Sequence, residues 1–265
     1  MSPLVGQREF NAVRRSIDSD PMSLTYFISD AHLGLESRQK EREKEQRLIG
    51  FLDHVREHGR LLYVLGDLFD FWFEYKTVVP KGYHRLLAKL SDIVDHGIPI
   101  KYVAGNHDFW MRGYLGEEIG IQVFLDPITE AIEGKKFYLH HGDGLSERDL
   151  GYRMLKKILR NPVNIWLYSL IHPDIGVRLA QFFSRKSRHH TSDKDYGERD
   201  GMLTFAESRM KEGCDYVVMG HRHEPVLKSI GSGWYVNLGD WIDHHTYGVF
   251  DGARFELKSW NPERR

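Results

Sequence analysis

Five short apolar runs constrain this chain more than anything else in it, because each stops at an acid, an amide or an imidazole. They are FISDAH (27–32), LLYVLGDLFD (61–70), IKYVAGNHD (100–108), FYLHHGD (137–143) and YVVMGHRH (216–223). Near-continuous apolar runs rich in β-branched and aromatic residues read as strands covered on both faces. Between the first three, helical spacing puts Leu48, Phe51, Leu52 and Val55 on one face, and Leu86, Leu87, Leu90 and Ile93 on another. Strand, helix, strand, helix, strand predicts right-handed crossovers and a parallel core. AIEGKKFYL (131–139) and YGVFDGARFELKSW (247–260) read as hairpins around Gly-containing turns, so the later part is expected to be more antiparallel. The expectation is an α/β chain of two packed sheets with helices outside.

Residues 147–212 break this rhythm. They carry helical stretches punctuated by Pro162 and Pro173 and no convincing strand, and they divide a core of 23–146 and 213–265. Residues 1–22 lack an apolar signal-like segment and read as a flexible tail. The charged run ESRQKEREKEQR (36–47) reads as the solvated start of a helix. A net charge of −1 gives no chain-wide attraction for nucleic acid, and no nucleic-acid partner is expected. The single cysteine, Cys214, rules out an intrachain disulfide and fits a reducing, cytoplasmic setting. No apolar run is long enough for a membrane-spanning helix.

In open α/β sheets, ligands gather at the carboxyl ends of the strands. All five runs place Asp, Asn or His there: Asp30, His32, Asp67, Asn106, His141, His221 and His223. Oxygen and imidazole donors without thiolate suit Mn, Fe, Zn, Co or Ni ions. Seven such groups are too many for one ordinary site and enough for two metals sharing a carboxylate. Two cations ~3.5–4 Å apart form the clamp used for in-line displacement at phosphorus and acidify bound water. Read singly, Asp30 is a strand-end cap and each His a satisfied polar group; the ordered set reads as a metal centre. Next to it, His140 alternates to the opposite face and reads as structural, while Asp70 and Asp143 read as hydrogen-bond partners of ligand rings or loop amides. Phe71, Trp72 and Trp110 flank the same loops and read either as pocket walls or as core.

D-x-H (30–32), GDLFD (66–70), GNHD (105–108), HGD (141–143) and GHRH (220–223) resemble, in order and spacing, the calcineurin-like metallophosphoesterases. The resemblance implies a four-layer α/β/β/α metallophosphoesterase sandwich of two mixed sheets, with 147–212 as a helical lid. It implies that Asp30, His32 and His223 hold one divalent ion, that Asn106, His141 and His221 hold a second, and that Asp67 bridges them. His107 would be the imidazole beside the phosphate, and Asp108 would orient it. ISDAHLG, GDLFDFW, GNHDFW and HGDGL are similar, more narrowly, to the UDP-2,3-diacylglucosamine hydrolase group of lipid A biosynthesis. That likeness implies two ions, manganese foremost, and cleavage of a lipid-linked nucleotide sugar into UMP and a diacylglucosamine 1-phosphate, at the cytoplasmic face of the inner membrane. One departure is that many members of that group carry Arg where this chain has His107. The alternative, a phosphoesterase for another phosphodiester or phosphomonoester such as a nucleotide, stays open on these residues.

The insertion has a composition that suits a lipid substrate. From Arg153 to Arg188 there are eight Lys or Arg against one acid, Asp174, alongside VNIWLYSLI (163–171) and IGVRLAQFF (175–183). Basic and apolar together is the pattern of a surface that meets anionic lipid, and equally of a lid over acyl chains. The plainer alternative is a helical hairpin packed on the core with its basic side in water. Arg185, Lys186, Ser187 and Arg188 close this stretch and are the candidate substrate-binding residues.

Overall fold

A computed structural model describes residues 24–145, 150–180 and 201–261. Among these described residues, eleven strands form two mixed sheets. The first runs β11-β10-β1-β2-β3-β4, from Phe255–Ser259, Thr246–Phe250, Leu24–Ile28, Gly59–Val64, Ile100–Val103 and Gln122–Phe124. The second runs β5-β6-β7-β9-β8, from Ile128–Ile132, Lys135–Leu139, Tyr216–Met219, Gly233–Leu238 and Pro225–Ile230.

Alternation along each strand builds the layers. In β1 and β2, Tyr26, Ile28, Leu62 and Val64 point to a core beneath α1 (Arg38–His58) and α2 (His84–Asp95). Phe27, Tyr63 and Leu65 point the other way, into a second core shared with Phe137, Val218, Val236 and Leu238 of the other sheet. Val217, Met219 and Tyr235 then face Met202, Ala206 and Met210 of α5 (Gly201–Lys211). This is the four-layer α/β/β/α sandwich. The five runs are near-continuously apolar because their strands are covered on both sides over most of their length.

β1, β2 and β3 pair in parallel, as predicted, and β4, a strand absent from the sequence reading, adds to β3 in parallel. Both predicted hairpins form, β5–β6 and β10–β11. The later half is less antiparallel than its sequence implies, because β6, β7 and β9 also pair in parallel. That arrangement carries their carboxyl ends to one edge. Within 147–212, α5 packs on the second sheet as part of its outer layer, so the chain has rejoined the core by residue 201. The insertion's own described helices are α3 (Leu150–Leu159), α4 (Pro162–Ser169) and a run at 173–180. The tail at 1–22 and the RKSR group, Arg185, Lys186, Ser187 and Arg188, lie outside the described residues.

The charged run at 36–47 is not wholly solvated. Lys44 and Glu45 are buried on the inner face of α1. No described helix is long and apolar enough to cross a membrane.

Candidate metal centre

The candidate ligands leave the strands on sharp turns. Asp30, His32, Asp67, His221 and His223 all have left-handed backbone, with φ between 42° and 72°. Only Glu133 and His245 join them among the described non-glycine residues. Such conformations cost on the order of 1–3 kcal/mol each and persist where surrounding structure imposes them. Here the imposition is explicit. Asp30 N donates to the Gly66 carbonyl at 3.1 Å, His32 N to the Asp67 carbonyl at 2.9 Å, and Trp241 N to the Asp30 carbonyl at 3.0 Å. Asp30 Oδ2 accepts from His221 N at 2.9 Å, tying the end of β1 to the end of β7 in the other sheet.

Two groups of donor atoms result. In one, His32 Nε2 lies 3.1 Å from His223 Nε2 and 3.7 Å from Asp30 Oδ1, and His223 Nε2 lies 3.4 Å from the same oxygen. In the other, His141 Nε2 lies 3.0 Å from Asn106 Oδ1 and 3.2 Å from Asp67 Oδ2, with His221 in the same cluster. Asp67 Oδ2 is also 3.6 Å from His32 Nε2, so this one oxygen reaches both groups. Donors about 2.1 Å from a common ion stand about 3.0 Å apart on an octahedral edge and about 3.4 Å apart on a tetrahedral one. The spacings of 3.0–3.4 Å therefore match coordination edges, and the two from His32 Nε2 to carboxylates, 3.6 and 3.7 Å, are slightly wider. Asp30 Oδ1 is buried with no hydrogen-bond partner among the described residues, although two imidazole nitrogens aim at it. A divalent ion fits that donor set.

One ring is braced from behind by a hydrogen bond, and two others face carboxylates at longer range. His141 Nδ1 donates to the Leu65 carbonyl at 2.8 Å, which leaves Nε2 as a lone-pair donor. His32 Nδ1 lies 3.6 Å from Asp70 Oδ1, and His223 Nδ1 lies 3.9 Å from Asp240 Oδ2. Electrostatics reflect a dense negative centre. Burial opposes a charged ring at His32, yet Asp30, Asp70 and Asp67 raise it to about 9. Burial likewise opposes charge at His141, where Asp67 and Asp30 raise it to about 10. Despite their own burial, Asp30 and Asp67 are held well below the usual carboxylate range by the surrounding imidazoles. Burial, reinforced by His141, lowers His221 to about 4.

His107 sits beside the pair, with Nε2 4.0 Å from Asp67 Oδ2. Its Nδ1 donates to the Asp70 carbonyl at 3.0 Å, so Asp70 holds this ring. Asp108 has a different set of contacts. It accepts from Gly105 N and Leu68 N, each at 2.9 Å, and from the Tyr102 hydroxyl. It thus ties the GD and GN loops together. Burial, and then the charge of Asp67, push Asp108 up to about 6.

Asp143 pairs with Lys156 of α3 at 2.6 Å, fastening the HGD loop to the insertion. Trp110 stacks on Tyr168 of α4, with ring centroids 5.6 Å apart, and its Nε1 donates to the Leu159 carbonyl at 3.0 Å. It is a wall between core and insertion, whereas Trp72, fully buried against Phe69, is core. His140 packs near Tyr138 and Phe205, away from the donors, and burial lowers it to about 3. The described insertion leaves Met154, Ile158, Val163, Trp166, Leu170 and Ile175 more than half exposed. Asp240 escapes the sequence reading, although GWYVNLGD (233–240) repeats the pattern of an apolar run ending in G-D.

The sequence model of the calcineurin-like phosphoesterase family matches residues 24–225. The chain is 36% identical to a UDP-2,3-diacylglucosamine hydrolase of Porphyromonas gingivalis, covering 89% of this chain and 97% of that protein. It is 29% identical to a UDP-2,3-diacylglucosamine hydrolase of Nitrosococcus oceani, covering 82% and 87%. Among solved structures it is similar to an archaeal phosphodiesterase, 15% identical with a TM-score of 0.46 over 89% of this chain and 98% of that one.

Proposed function

The chain belongs to the calcineurin-like phosphoesterase family, and from that premise we propose that it hydrolyses the diphosphate of UDP-2,3-diacylglucosamine to UMP and 2,3-diacylglucosamine 1-phosphate. It is a metal-dependent hydrolase. The observation that carries the substrate is the exposed apolar surface of the insertion, fastened by Lys156–Asp143 and Trp110–Tyr168 beside the donor cluster. Support also comes from the relative that matches nearly end to end.

Asp30, His32 and His223 would hold one ion, Asn106, His141 and His221 the other, and Asp67 would bridge them. Manganese is the proposed metal. Bound divalent ions supply Lewis-acid charge to phosphoryl oxygens and lower the pKa of water. The protein's part is to hold the donors before the substrate arrives and to leave the uridine-side phosphorus open to in-line attack. Because the His107 Nδ1 proton is spent on the Asp70 carbonyl, a neutral ring turns only a lone pair toward the site. That suits a leaving group needing no proton. A phosphate monoester, with a second pKa near ~6, departs as an anion. An alkoxide would need a donor there.

Acyl chains would lie on the apolar face of α3 and α4, with Lys and Arg of the insertion, including the RKSR group, meeting phosphate. The same surface would rest peripherally on an anionic cytoplasmic leaflet. The test is Mn-loaded protein with UDP-2,3-diacylglucosamine in detergent micelles and ¹⁸O-labelled water, read by mass spectrometry. UMP carrying the label is the expected product. No UMP, together with turnover of simple nucleotide esters, would transfer the assignment to a soluble phosphoester.

A further inference from the structure

We propose that Lys44 is a positioning residue for one half of the metal centre, fixing the His32 backbone from the far side of the loop. The inference rests on reading Asp30, His32 and His223 as ligands. It starts from an anomaly in the charged run at 36–47. A lysine is almost never fully buried unless paired, yet Lys44 is only 3% exposed.

Its ammonium donates to the His32 carbonyl at 2.9 Å and lies 3.2 Å from Glu41 Oε1. Glu41 completes a clip. Its two oxygens accept from Gly34 N at 2.9 Å and Glu36 N at 2.7 Å. One turn of α1 therefore grips loop 32–36 by one carbonyl and two amides. The loop needs a grip, because His32 has φ 42° and Gly34 φ 98°. A left-handed residue other than glycine relaxes unless both flanking peptides are held. The amide of His32 is held by the Asp67 carbonyl. Its carbonyl is held by Lys44, with Leu35 N a longer 3.3 Å away.

The grip is one-sided. His141 hangs from β6 and rests on the Leu65 carbonyl, with no contact to α1 in that bond. Lys44 thus acts directly on the Asp30–His32–His223 position and reaches the Asn106–His141–His221 position only at second hand, through Asp67.

The experiment strips wild type, Lys44→Met and Lys44→Arg with chelator, then titrates each with Mn²⁺ by calorimetry. Methionine keeps an unbranched stem of similar length and removes the ammonium. Wild type is expected to take up two ions. Lys44→Met should bind one of them about 10–100-fold more weakly, the range seen when a ligand's outer support is removed. The other affinity should hold, and Lys44→Arg should recover part of the loss. A purely structural lysine would lower the melting temperature and move both affinities together, or neither; either result overturns the proposal. Should Lys44→Met not fold, Glu41→Gln weakens the same clip, and two unchanged affinities there overturn it equally. A wild-type chain that takes up no ion would overturn the ligand reading itself, a distinct failure.

Discussion

Gly105→Ala tests whether the donor geometry depends on backbone closeness. A Cβ at residue 105 would stand 2.6 Å from Asp67 N and 2.8 Å from Asp67 Cγ, with Oδ1 nearer still. Carbon atoms settle about 3.5–4.0 Å from their neighbours, so the Asp67 carboxylate must retreat by on the order of 1 Å. Overpacking of this kind costs about 1–3 kcal/mol. At about 2–4 °C per kcal/mol for a chain approaching this size, the melting temperature should fall by about 2–12 °C. The functional loss should be larger. Asp67 is the one oxygen within reach of both donor groups, and an error of about 1 Å at a reacting centre can cost about 10²-fold in rate. The assays are metal content after dialysis, melting temperature, and kcat/KM on the diphosphate substrate. Gly116→Ala is the control, because a Cβ there meets nothing nearer than 3.6 Å. If Gly105→Ala loses only stability, keeping its metal and kcat/KM within about threefold, the close approach does not set the bridging carboxylate.

Three further outcomes follow from other contacts. Glu74 is buried and accepts from Arg112 N, Gly113 N, Tyr114 N and the Trp72 indole, so Glu74→Ala should cost about 2–4 kcal/mol in a denaturant titration; a change below about 0.5 kcal/mol would refute that role. His32 and His141 sit at about 9 and 10 in the metal-free fold, above their unfolded value, so their stabilisation is complete below pH ~6.5 and lost as pH rises through 9–10. Metal-free protein should therefore melt lower at pH 10 than at pH 7, and Mn²⁺ uptake at pH 7 should release protons, visible as a buffer-dependent calorimetric heat; buffer-independent heat would contradict it. Trp166 and Leu170 are 57% and 65% exposed, so replacing both by Ser should slow micellar substrate at least about tenfold and spare a water-soluble phosphoester; equal effects on both would remove the lipid role from α4.

The parts of this protein legible in its sequence are those set by local pattern. Alternation within FISDAH and LLYVLGDLFD makes strands buried on both faces, and strand polarity then forces their polar ends to one edge. This is why Asp30, His32, Asp67 and His141 could be put forward as candidate ligands from residue type and order alone. The tertiary structure decided what depends on contact between distant segments. It placed Asp67 between the two donor groups and turned Asp108 to the loop amides while Asp70 took the His107 ring. It also brought Asp240 behind His223 and drew Lys44 out of a charged run into the interior. No residue type or spacing announces such contacts, because each is fixed by packing between elements whose separation along the chain carries no information about their distance in space.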